Sequence, residues 1–185
     1  KNGFTLGIAN NSTFYHPQKN IYCMVHGDDF VSTSTGENLK WFQEILTKSF
    51  KIKSSTIGPD KEDCKELKIL NRIIRYTERG IELEADLRHS ELIAKQLGLE
   101  KAKALTCPTA DEPVHAGDDE EFNPEYSTQY KSIVARANYM SMDRPDIQFA
   151  VKKLATSMSK PTSRNWQELK RLGRYLKGKP RLVIK

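Results

Sequence analysis

Cysteine is scarce. Cys23, Cys64 and Cys107 are odd in number and no two stand at C-x-x-C spacing, which excludes a disulfide framework or a zinc knuckle and points to reduced thiols in a cytosolic or nuclear setting. Long apolar runs are missing as well. No stretch of about 18 apolar residues occurs, so a membrane-spanning helix is excluded, and no signal-peptide pattern follows the first residue. The chain opens on Lys1 rather than Met and reads as a piece of something longer. Neither a Gly-x-Ser-x-Gly elbow nor a P-loop is present, which leaves hydrolase and nucleotide-triphosphatase readings without support. There is no internal repeat and no heptad register. What remains is ordinary globular material: 185 residues, 37% hydrophobic and 29% charged, with 10 Gly and 8 Pro. That length gives one or two domains and a core that needs no staples.

Charge is unevenly placed. The net value is +6, yet residues 122–185 hold 14 Lys and Arg against 4 Asp and Glu, whereas residues 1–121 hold 16 against 20. A positive field of that kind attracts polyphosphate, because each neutralised phosphate releases condensed counterions; solvated surface lysines are the plainer explanation.

Patterning runs from strands to helices. Phe4 to Ile8, Thr13 to Tyr15 and Ile21 to Val25 are short and β-rich; His26-Gly27-Asp28-Asp29 then separates Val25 from the strand-like Phe30 to Thr33, which predicts a hairpin with acids at its tip. Ser34 and Glu37 have capping-box spacing ahead of Leu39, Phe42, Ile45 and Leu46, predicting a helix to about Phe50. Leu67 to Glu84, with Glu78-Arg79-Gly80 inside it, predicts another hairpin. Asp86 is placed to cap a helix carrying Leu87, Ile93, Ala94 and Leu97, closed by Gly98. Thr106 to Pro124, with the acid run Asp118 to Glu121, has no periodicity and reads as a linker.

Three amphipathic helices should follow. Their apolar faces are Tyr130, Ile133, Val134, Ala137 and Met140; then, from about Pro145 to Pro161, Ile147, Val151, Leu154 and Met158; then Trp166, Leu169, Leu172 and Leu176. Lys170, Arg171, Arg174 and Lys177 form a basic stripe on the last helix, either a solvated face or a contact for a phosphate backbone. Trp41 and Trp166 fall on apolar faces and read as core, and His16, His89 and His115 have no partner at metal-ligand spacing, so packing or surface roles are expected of them. Strands first and helices after give an α+β fold class.

Adjacent carboxylates on a tight turn can offer oxygens to Mg²⁺, which binds through one or two carboxylates plus water and substrate phosphates. Gly27 would let another backbone come close. A solvated turn is the alternative, and the second pair, Asp118-Asp119, shows that neighbouring aspartates arise without such a context.

The order of segments resembles the C-terminal part of the reverse transcriptase domain of copia-type LTR retrotransposons. Gly3-Phe4, Thr13-Phe14-Tyr15 and Ile21 to Phe30 look like the strands leading into that family's Tyr-x-Asp-Asp box, and Leu67 to Glu84 is similar to the segment associated with gripping the primer. Leu97-Gly98-Leu99 through Ala104 and then Thr106-Cys107-Pro108 continue the series. Further on come Tyr130 to Val134, Asn138-Tyr139-Met140, Arg144-Pro145-Asp146-Ile147, Phe149-Ala150-Val151, Pro161-Thr162, Trp166, and Arg174-Tyr175-Leu176-Lys177-Gly178. The series covers nearly the whole chain.

The resemblance implies a partial polymerase palm over residues 1–85, a helix and lead-out over 86–105, a linker over 106–125 and a basic helical thumb or connection segment over 126–185. It implies RNA-directed DNA polymerisation within a Pol polyprotein, with Asp28 and Asp29 as catalytic metal ligands for Mg²⁺ or Mn²⁺. His26, Gly27, Leu70 and Asn71 would lie near primer or template, and Lys170, Arg171, Arg174 and Lys177 would hold the nucleic-acid backbone. His26 occupies the box's Tyr position, and Asn71 stands where Gly is common; Asn tolerates positive φ. Implied partners are an RNA or DNA primer-template, deoxynucleoside triphosphates and the rest of Pol including RNase H, in a cytoplasmic virus-like particle or the nucleus, with no membrane. A further palm Asp and the fingers are expected upstream and RNase H downstream, so this piece by itself should be inert. The competing reading is a retroelement remnant that only binds nucleic acid.

Overall fold

Alternation of apolar residues builds the first sheet. β1 (Thr5–Leu6), β2 (Thr13–His16), β3 (Ile21–His26) and β4 (Asp29–Thr33) pair antiparallel in that order. Successive β3 residues point to opposite faces. Ile21, Cys23 and Val25 go inward with Phe14 and Phe30, while Tyr22 stays exposed. Helix α1 (Gly36–Ser49) covers the inner face with Phe42, Trp41 and Leu46. The computed structural model that gives these elements describes residues 2–110 and 124–185, and it divides into two units, Lys1–Ser55 and Thr56–Lys185.

The helix over 36–49 falls where its apolar spacing predicts, but its expected capping box does not form. Thr35 is the N-cap, and Ser34 instead donates its hydroxyl to the Lys19 carbonyl at 3.0 Å. Asn38 donates to the same oxygen at 2.8 Å. Tying down the exposed loop between β2 and β3 has displaced the local cap.

In the second unit, β5 (Glu66–Ile69), β6 (Arg72–Thr77) and β7 (Gly80–Glu84) form an antiparallel meander. The single hairpin expected over Leu67 to Glu84 is therefore three strands, because Leu70-Asn71 is itself a two-residue turn between paired Ile69 and Arg72. A fourth strand, β8 (Val183–Ile184), pairs with β7. Its two residues carry no period of their own, so sequence patterning passes over them.

Helix α2 (Arg88–Gln96) starts after Leu87, and Asp86 accepts the Arg88 N–H at 3.0 Å. It closes in a Schellman motif: Gly98 N–H donates to Lys95 O, Leu99 N–H donates to Ala94 O, and Gly98 sits at φ +65°. Helices α3 (Pro124–Ser141), α4 (Gln148–Thr156) and α5 (Ser163–Gly178) follow, with a 3-10 turn at Pro145–Ile147 ahead of α4. Their predicted apolar faces meet in one core that includes Ile93, Tyr130, Ile133, Val134, Val151, Leu154, Leu169, Leu172 and Leu176. Trp166 packs against that core, as Trp41 does against the first. Most of the expected linker, residues 111–123, lies outside the described residues, as does His115.

Candidate functional site

The predicted hairpin forms, and its tip is tight. His26 pairs directly with Asp29, leaving Gly27-Asp28 as a two-residue turn. Gly27 is at φ +59° while Asp28 is not among the positive-φ residues, the sign pattern of a type II′ turn, which takes Gly first. A Cβ at Gly27 would meet nothing within 4 Å, so its glycine is demanded by φ rather than by crowding within the chain. Phe30 and Val25 point inward and anchor the two strands. Their neighbours His26 and Asp29 lie on the opposite, outer face, and His26, Gly27, Asp28 and Asp29 are all exposed.

Two exposed carboxylates on a fixed turn have the hard oxygen donors that Mg²⁺ prefers. Among the described residues no group of three or more His, Cys, Asp or Glu is placed to hold a metal ion. Two carboxylates are fewer donors than a complete Mg²⁺ shell needs.

Leu70 and Asn71 form the β5–β6 turn with φ +48° and +66°, the two positive values of a type I′ turn. Asn at the second position accepts this readily; Leu at the first does not, since its Cβ crowds the following carbonyl. The next residue, Arg72, anchors the turn by donating to Asp143 Oδ2 at 2.8 Å.

The basic stripe lies on α5 as its spacing predicts, and all four residues are half-buried. Two are engaged by the lead-out of α2: Arg174 Nε donates to Lys103 O at 2.7 Å and Lys177 Nζ to Ala102 O at 2.6 Å. Lys170 Nζ sits 6.0 Å from the Trp166 ring. The stripe is in part a tether within the chain. His16 is a core residue, edge-on to Phe4 and Trp41, and its Nδ1 accepts the Lys19 N–H. His89 meets Arg136 at 3.3 Å and stacks edge-on with Tyr139. Burial lowers its pKa, and the Asp86 carboxylate opposes this in part.

Two buried charge clusters escape a reading by periodicity. Arg144, 1% exposed, forks onto both Asp146 oxygens at 2.9 Å and donates to the carbonyls of Pro180 and Lys179 at 3.0 and 2.9 Å. Tyr175 completes the group, its hydroxyl donating to Asp146 Oδ2 at 2.7 Å. Burial opposes ionisation of Asp146, but its bonds from Arg144 and Tyr175 win and hold its pKa below the usual carboxylate range. Burial, then the Asp146 contact, pushes Tyr175 up to about 12. In the second cluster Glu84, fully buried, takes Arg181 at 2.5 Å and Arg75 at 2.6 Å, and Arg75 also reaches Glu66. The bond from Arg181, outweighing burial and helped by Arg75, holds Glu84 low. The signal that could have found the first was the fork-length spacing of Arg144 and Asp146; Glu84, ending the alternating run Ile81-Glu82-Leu83-Glu84, gives none.

The described residues make an α+β chain of two antiparallel sheets and a helical core, with an exposed Asp-Asp hairpin. It is 30% identical over 184 residues to the retrovirus-related Pol polyprotein from transposon RE2 of Arabidopsis thaliana, covering 96% of this chain and 12% of that protein. The Pol polyprotein from transposon RE1 of the same plant is 29% identical over 185 residues, with the same coverage. An uncharacterized mitochondrial protein of that species is 27% identical over 168 residues, 85% of this chain and 62% of that one. The resemblance to retrotransposon Pol polyproteins holds, and the chain spans 12% of the length of each of the two it matches. No family model matches, and no solved structure does.

Proposed function

We propose that this chain is part of the reverse transcriptase of a retrotransposon Pol polyprotein: a partial palm bearing the catalytic hairpin, followed by a helical thumb or connection segment. One observation carries the reading. The exposed Asp28-Asp29 pair sits on a two-residue hairpin turn inside a segment whose likeness to retrotransposon Pol polyproteins runs over 96% of the chain. Asp28 would be the direct ligand of Mg²⁺, with Asp29 beside it. Bound there, the ion would help ionise a primer 3′-hydroxyl and stabilise departing pyrophosphate.

The chain's own residues have simpler tasks. The β3–β4 hairpin fixes the two carboxylates, and exposed Gly27 leaves their flank open. His26, opposite Asp29, would touch the primer terminus where Tyr is usual. Leu70 and Asn71 would lie near the primer, and Lys170, Arg171, Arg174 and Lys177 would draw phosphates by charge, with little base readout. Partners would be a primer-template, deoxynucleoside triphosphates and the remaining Pol domains.

The test is primer extension with Mg²⁺ by a longer reading frame containing this chain, compared with Asp28→Asn. Losing one metal-binding oxygen should abolish extension, by about a thousandfold or more if the carboxylate stabilises transition-state charge. Extension by the variant at the rate of the unaltered frame would refute the metal role. A frame that binds primer-template and extends nothing would support the binding-only remnant.

A further inference from the structure

The connector between α3 and α4 touches two places to which the proposed function gives a part. Asp143 takes the Arg72 guanidinium, and Arg72 is the residue that leaves the Leu70-Asn71 turn. The adjacent Arg144 takes the Lys179 and Pro180 carbonyls, the first residues beyond α5. Asp146 orients Arg144 through a two-oxygen fork and also accepts the Tyr175 hydroxyl from within α5. Arg181, following directly, reaches Glu84 on β7, and Val183 pairs with Glu84.

The connector is itself held. Asp143 N–H donates to Met140 O, Arg144 N–H to Ser141 O and Ile147 N–H to Arg144 O. Gln148 Nε2 donates to Ser141 O at 3.0 Å. Arg144 and Ile147 are at most 1% exposed. Charge-assisted, forked bonds in such a place are directional as well as strong, so they fix spacing and not merely attachment.

We propose that the 143–146 connector is a positioning device: Asp143 sets the β5–β6 turn and Arg144 sets the end of the basic helix α5 relative to one another, so that primer-proximal turn and phosphate-holding helix act as one grip. The functional half rests on the reverse transcriptase reading; the mechanical half does not. Asp143 and Arg144 are positioning residues, since each acts through another group.

Two arms separate those halves. In the 185-residue chain, amide exchange is compared for the unaltered protein, Asp143→Asn and Tyr175→Phe. Cutting the Arg72 tie should speed exchange at Arg72 and Ile73 by about tenfold, and losing the Tyr175 hydroxyl should do the same at Val183 and Ile184, with α3 and α4 core amides unmoved. Asp143→Glu should restore slow exchange. A uniform rise across the helices, or none at the turn, would overturn the device. In the longer frame, Asp143→Asn should raise the KM for primer-template by about tenfold while single-nucleotide kcat stays within about twofold. A fall in kcat at constant KM would overturn the grip. If the unaltered frame extends no primer, the reverse transcriptase reading fails by itself, and the exchange arm still decides the mechanical claim.

Discussion

Leu70 holds φ +48°, and among the described residues it is the one at positive φ that is neither Gly nor Asn. A left-handed conformation costs an ordinary L-residue about 1–2 kcal/mol, whereas Asn followed by Gly suits both positions of a type I′ turn. Replacing Leu70-Asn71 by Asn-Gly should therefore stabilise the second unit by about 1 kcal/mol, read as a higher urea midpoint at unchanged slope. A lower midpoint would mean that Leu70 is kept for packing. The Asn71 tolerance was legible in the sequence; the strain at Leu70 was not, because an Asn signals a turn without showing that the apolar residue before it must also take positive φ. Gly27 was legible in the other sense: glycine before the acids signalled a turn, and within the chain its reason is φ rather than crowding.

At the level of elements, amphipathic spacing located helices α1 to α5 well, since a 3.6-residue stripe and a buried core are the same fact seen twice. The Ser34-Glu37 signature failed because a tertiary partner, the Lys19 carbonyl, outcompeted the local cap. β8 was invisible for a related reason: its place is fixed by Glu84 and Arg181, far apart in sequence. This pairing sets a pH dependence. Arg181 and Arg75 hold the Glu84 pKa below its ordinary value of about 4.5, so the folded state binds its proton less readily than the unfolded chain does. Its stabilisation is present above that value and is lost as pH falls through the lower folded value. Thermal melting points should drop steeply below about pH 4.5, and Glu84→Gln should lower stability at pH 7 by about 2 kcal/mol while flattening that acid slope. An unchanged slope would assign the acid sensitivity to Asp86 and Asp146, which are also held low.

For the whole molecule, the charge asymmetry is compatible with the proposed polyanionic partner, while the geometry divides the labour among the basic residues. Arg174 and Lys177 brace the α2 lead-out, whereas the Lys170 ammonium, among the described residues, meets the Trp166 ring at 6.0 Å. Lys170→Gln should thus reduce the salt slope of primer-template binding by about one counterion with the fold unchanged, while Arg174→Gln should chiefly lower the melting point. Equal effects on both readouts would erase that distinction. The candidate site was legible as a motif, a hairpin and an order of segments. That two carboxylates are too few for a full metal shell was legible as well; where further donors would stand was not, because sequence order does not place distant strands side by side.

The most direct measurement on the aspartate pair is Fe²⁺-mediated cleavage of the longer Pol frame with added peroxide and ascorbate, where an iron ion in place of Mg²⁺ generates hydroxyl radical that cuts the backbone beside its ligands. Cuts centred on residues 26–30, lost in Asp28→Asn and suppressed by excess Mg²⁺, are the expected result. Cutting confined to other acid-rich stretches such as 118–121, or cutting at the hairpin that Asp28→Asn leaves intact, would contradict the metal-binding role.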